Sequence, residues 1–101
     1  MKKWIVENLQ LAHNLINYSV RLQKGEKLLI ELIDEGMELA QALIQEAYKV
    51  GGIPFLTIKN LKMQRELLLN ATTEQMKLCA EYESLRMKTW THILLFVAVK
   101  M

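Results

Sequence analysis

VRLQKGEKLLIELIDEGMELAQALIQEAYKVGGIPFLTIK, residues 20–59, reads as a turn, an apolar strand, a helix, a glycine stop and a second strand. Gln23-Lys24-Gly25-Glu26 breaks any periodic pattern and turns the chain. Lys27 to Ile33 then places Leu28, Leu29, Ile30, Leu32 and Ile33 almost without interruption. A run that short and that apolar suits a strand covered on both faces, as in a parallel sheet. Met37 to Val50 switches to helical period through Leu39, Ala40, Leu43, Ile44 and Ala47. Gly51 stands where a helix favours a left-handed residue, and Pro54 follows closely. Phe55 to Ile58 is the second strand. Two strands joined by a helical crossover run parallel, with a right-handed connection.

Outward from this unit, Trp4 to Tyr18 predicts an amphipathic helix with Ile5, Leu9, Ala12 and Ile16 in one stripe, widened by Leu11 and Leu15. Leu61 to Asn70 predicts a short helix carrying Leu61, Leu67 and Leu68. Thr72-Thr73-Glu74-Gln75 fits a capping box, opening a helix that ends near Thr89 and is expected to bury Leu78, Tyr82 and Leu85. Ile93 to Val99 predicts a third buried strand. The expected fold class is α/β, a small, mainly parallel sheet of about three strands flanked by helices. Residues 1–101 form one domain with no repeat, linker or low-complexity segment.

Composition narrows the function classes. Hydrophobic residues make up 51% of the chain, against four glycines and one proline, so a folded core is expected rather than disorder. Thirteen basic and eleven acidic residues are interleaved. Lys59, Lys62 and Arg65 are interrupted by Glu66, so no basic face marks a nucleic-acid binder. The apolar run from Ile93 to Val99 is far shorter than the roughly 20 residues that span a bilayer. No signal-peptide run follows the first lysines, and the single cysteine, Cys79, excludes an internal disulfide. A soluble, cytoplasmic protein is expected.

Few residues invite chemistry. His13 borders the apolar stripe of the first helix, and His92 opens the last strand beside Trp90. Neither has a Cys, Asp or second His at ligand spacing, so both read as packing or boundary residues. Cys79 reads as a small core hydrophobe. Trp4 and Trp90 are large enough to anchor an interface but fit a core equally. Asp34-Glu35-Gly36 follows a strand's carboxyl end, where open α/β sheets place ligands. The same residues also suit a cap on the helix that starts at Met37, and the cap reading is preferred because no convergent partners are visible. No catalytic, cofactor-binding or metal-ligating residue is assigned.

Four segments carry a family resemblance. Asn8-Leu9-Gln10-Leu11-Ala12 through Asn17-Tyr18-Ser19 looks like the first helix of the aminopeptidase T/aminopeptidase S family. Leu22 to Ile30, LQKGEKLLI, is similar to that family's N-x-Q-x-G-E-x-V-L-I turn and strand. Glu46 to Pro54, EAYKVGGIP, resembles its E-A-Y-x-x-G-A-x-P helix end. Glu81-Tyr82 with Leu85-Arg86-Met87-Lys88 resembles its later E-Y…x-R-M-K segment. The order and spacing agree to about Trp90, and the match lies in the family's amino-terminal α/β domain.

The resemblance implies a dimeric metal-dependent exopeptidase that releases amino-terminal residues from peptides. It also implies a divalent pair such as zinc, cobalt or manganese, held by a carboxy-terminal domain. Such a pair polarises the scissile carbonyl and supplies a hydroxide near neutral pH. None of those ligand positions is present here, so no cofactor is expected in this chain. Thr91 to Met101 also departs from the family, lacking its small and glycine residues.

Three readings follow. The leading one is an inactive amino-terminal fragment of such an enzyme, which would self-associate through the uncovered strand Ile93 to Val99. The second is a self-contained dimerisation or protein-interaction module. The third is a small enzyme built on Asp34 and Glu35, which lacks the positioned partner that acid–base work needs.

Overall fold

The computed structural model describes residues 3–97. Helix α1 (Lys3–Asn14) runs into a π-helical turn (Leu15–Ser19), followed by strand β1 (Lys27–Ile33), helix α2 (Met37–Lys49) and strand β2 (Ile53–Lys59). Helices α3 (Leu61–Leu69) and α4 (Thr73–Met87) and strand β3 (His92–Val97) complete the order. The three strands form one sheet in the order β2-β1-β3, and both pairings are parallel. The expected α/β class with a parallel sheet is what the chain adopts.

β1 is central: among the described residues it is the strand paired on both sides, and Leu28 through Leu32 are all buried. Leu28, Ile30 and Leu32 point to one face, where they meet Ala12 and Ile16 from the α1 region and Ala40, Leu43 and Ala47 from α2. Leu94 of β3 packs at the margin of this core. Ile16, Leu28, Ile30, Leu32 and Leu43 are completely buried. Burying a side chain of that size contributes about 1.5–3 kcal/mol, so this face supplies most of the apolar stabilisation.

The α2–β2 junction explains the glycine pair. Gly51 has φ +80, a left-handed conformation that ends the helix. Gly52 is buried, and a Cβ there would fall 2.4 Å from Leu22 Cδ2, so the absence of a side chain lets β2 enter beside the turn. Gly25 N donates to Gly51 O at 2.9 Å and Ile53 N to Glu26 O at 2.8 Å, which sets the register of Lys27 against Ile53.

The other sheet face differs from the expectation. Leu78, Tyr82 and Leu85 of α4 are 59%, 67% and 71% exposed rather than buried, and no residue of α3 or α4 is buried. Cys79, expected in the core, is exposed. The physical reason is the distribution of apolar residues around α4. Met76, Leu78, Cys79, Ala80, Tyr82, Leu85 and Met87 point in all directions, so no single stripe directs the helix onto the sheet. The capping box is formed as expected, with Gln75 N donating to Thr72 Oγ1 and Thr72 N to Gln75 Oε1.

β3 is likewise only half covered. Leu94 meets the core, whereas Leu95 on the opposite face is 55% exposed. Helices α1 and α2 lie on one face alone, which leaves this side of the expected buried strand open. Ala98 and Val99 lie outside the described residues.

Candidate functional site

The carboxyl end of β1 is where the sequence placed its one polar cluster. Asp34 has φ +71, and its Oδ1 accepts from Leu61 N at 2.9 Å, while its own N–H donates to Lys59 O at 2.9 Å. The carboxylate thus caps the start of α3, not that of α2 as expected. The residue at the N-cap of α2 is Gly36, which contributes no side-chain bond. Asn60, at the end of β2, accepts from Met63 N at 3.1 Å and caps α3 as well. These polar residues at the two strand ends are engaged in holding one helix in place.

A second cluster, invisible in the sequence reading, lies on the sheet face opposite α1 and α2, where Leu29 of β1 is also buried. Glu31 in the middle of β1 is only 8% exposed. Its Oε1 lies 2.8 Å from Lys59 Nζ and 3.5 Å from Arg86 Nη2. Arg86 also binds Glu83 Oε2 through Nη2 at 2.7 Å. That hydrogen bond holds the Glu83 carboxyl below its ordinary value despite partial burial, with help from the Arg86 and Lys59 charges. The same bond raises the Arg86 value, with the Glu31 charge acting in the same direction against partial burial. Trp90 packs against Phe55 with ring centroids 4.6 Å apart. The only signal in the sequence was one charge interrupting the run from Leu28 to Ile33.

The two histidines also find carboxylates. His13 Nδ1 lies 2.8 Å from Glu46 Oε1, which accepts from Asn17 Nδ2 at 3.0 Å. Burial would raise the Glu46 carboxyl, but the bonds from His13 and Asn17 and the charge of Lys49 lower it overall. The π-helical turn places Asn17 over this pair and so ties α1 to α2. An open groove of about 590 Å³ lies beside it, lined by Leu9, Gln10, His13, Asn14, Glu46 and Lys49. His92 Nε2 lies 3.2 Å from Glu26 Oε1. The backbone N–H of Gln23 holds the Glu26 carboxyl low, a stronger effect than that of His92.

Each of these groups joins one element to another, and none is paired with a nucleophile. Among the described residues no group of three or more His, Cys, Asp or Glu side chains is placed to hold a metal ion. A divalent pair of the kind the resemblance implies does not fit the donors present, and no step through it follows from this chain. No helix among the described residues is long and apolar enough to cross a membrane.

Comparison with known proteins gives the wider setting. No curated protein matches the chain. The solved structure of wild-type AmpT from Thermus thermophilus matches 69% of it, with a TM-score of 0.57 and 24% sequence identity, a likeness of fold. The chain spans 18% of the length of that AmpT chain. The family model described as thermophilic metalloprotease (M29) matches residues 7–98. With that match running through nearly all of its 101 residues, the chain belongs to the thermophilic metalloprotease (M29) family.

Proposed function

We propose that this chain is the non-catalytic amino-terminal part of a metal-dependent aminopeptidase and has no peptidase activity alone. The family is one of metallo-aminopeptidases. The observation that carries the proposal is the family match over residues 7–98 in a chain whose described residues gather no metal-holding group. On this reading residues 1–101 act as one α/β scaffold in the cytoplasm, where the free thiol of Cys79 stays reduced. Peptides and divalent zinc, cobalt or manganese belong to the longer relatives. The chain itself associates with further copies, because large apolar side chains remain exposed on β3, α3 and α4.

The test is an assay of the purified chain on aminoacyl chromogenic substrates with zinc, cobalt or manganese added. No turnover above buffer is expected with any of the three. Turnover that a chelator abolishes would overturn the proposal and require ligands that the present fold does not gather.

A further inference from the structure

We infer that the α3–α4 hairpin is the surface through which two copies of this chain pair, with α4 antiparallel to the partner's α4 about a two-fold axis at Cys79. The inference rests on the self-association proposed above and names its surface. Between α3, α4 and the end of β2 lies a groove of about 570 Å³ lined by Leu67, Leu68, Met76, Leu78, Cys79 and Tyr82, with Lys59, Gln75 and Glu83 also facing it. All five of its large apolar side chains are at least 45% exposed.

The apolar area comes close to what a dimer takes. Each such side chain still offers on the order of 100 Å², so the five provide roughly 500 Å². A standard interface takes about 800 Å² from each partner. In homodimers about 65% of that is apolar, or ~520 Å².

The groove face of α4 is also complementary to itself. Gln75 and Met76 precede Cys79 by the same intervals at which Glu83 and Tyr82 follow it. Antiparallel pairing about Cys79 therefore sets Met76 against the partner's Tyr82, a favourable sulfur–aromatic contact. It sets Gln75 against the partner's Glu83. The Oε1 of Gln75 accepts from Thr72 N, which leaves its amide N–H to donate. Glu83 accepts from Arg86 through Oε2, which leaves Oε1 to receive that bond. The same patch serving both partners is what an isologous contact requires. Cys79 then faces the partner's Cys79 on the axis.

Sedimentation at micromolar concentration and oxidation with diamide test this together. Diamide takes two electrons and two protons from the two thiols, which join in one S–S bond as the diamide becomes a hydrazine. The wild type is expected to sediment at twice its 11.8 kDa mass and to give a covalent dimer that dithiothreitol reverses. Cys79→Ser keeps the non-covalent dimer and loses the cross-link. Leu78→Asp, at an exposed position that leaves the fold intact by circular dichroism, weakens association roughly 100-fold or more because the charge enters the contact twice. Leu95→Lys leaves both readouts unchanged.

A folded monomer at all concentrations overturns both this inference and the proposed self-association. Association lost in Leu95→Lys but kept in Leu78→Asp overturns only the inference and assigns the contact to β3. Polydisperse aggregation indifferent to Leu78→Asp, or a dimer that fails to cross-link, also overturns it. None of these readouts depends on peptidase activity, so a failure of the non-catalytic reading is recorded separately.

Discussion

Glu31 is expected to pin α4 to the sheet, and replacing it should cost stability by an amount its surroundings set. Its side chain is 11% exposed, against 29% for Lys59 and 12% for Arg86. Removing one member of a buried pair typically costs about 3–5 kcal/mol, because the partner is left charged and unsolvated. Two features reduce that figure here. Lys59 is exposed enough to turn its ammonium to water, and Arg86 retains Glu83 at 2.7 Å. Arg86 Nη1 already lacks a partner, so losing Glu31 adds to an existing deficit.

Glu31→Leu should therefore cost about 2–3 kcal/mol, and Glu31→Gln, which still accepts from Lys59, about 1–2 kcal/mol. Glu31→Leu and Lys59→Met each remove the same ion pair, so in the double variant the two losses should fall short of additivity by about 1 kcal/mol. Urea unfolding at neutral pH measures all three, and amide exchange in α4 should quicken in Glu31→Leu. A neutral or stabilising Glu31→Leu, with no coupling to Lys59, would refute the pin. The cluster would then be a surface charge group whose removal the sheet tolerates.

Two further outcomes test the other face. Leu43→Ala empties a fully buried position between α2 and β1 and should lower the unfolding free energy by about 2–4 kcal/mol in a urea titration. Glu46→Gln should cost about 1 kcal/mol at pH 7. The Glu46 carboxyl is lowered in the fold, so its contribution is present above the ordinary unfolded value and lost as pH falls through the folded one. The gap between wild type and Glu46→Gln should hence begin to narrow as pH drops below about 4.3 and close below the lowered folded value, which thermal melts across that range would read.

Local rules made the central unit legible. The apolar run at Lys27–Ile33, the helical period after Met37 and the left-handed Gly51 each act over a few residues; the first strand forms as read, and the second, read as Phe55 to Ile58, extends over Ile53–Lys59. The cap at Thr72 was legible for the same reason. What the sequence hid depends on distant elements. Glu31 meets Lys59 and Arg86 only because β2 and α4 converge on one face. His13 finds Glu46 across the α1–α2 contact, 33 residues away. The burial expected for Leu78, Tyr82 and Leu85 failed because apolar composition does not say whether a neighbour lies opposite. A stripe carries that information, and α4 has none.

The carboxyl ends of parallel strands are where α/β sheets usually hold ligands, so the use made of Asp34 bears on the scaffold reading. Its carboxylate receives Leu61 N, and its backbone sits at φ +71, a region Asp and Asn tolerate better than Ala. Asp34→Asn preserves both the acceptor and that tolerance, and should change stability by less than about 0.5 kcal/mol. Asp34→Gly keeps the backbone but removes the acceptor, and should cost about 1 kcal/mol. Asp34→Ala adds the left-handed penalty and should cost about 2 kcal/mol. The order Asn, Gly, Ala follows from capping geometry and has no dependence on charge. A group working as a general acid or base would rank otherwise, since Asn cannot exchange a proton and would behave as badly as Ala in any assay of activity. Chemical unfolding of the three variants, with amide exchange of α3 as the local readout, therefore separates a capping Asp34 from a chemical one. A large loss in Asp34→Asn, with Asp34→Gly no worse, would show that charge rather than capping is what this position supplies.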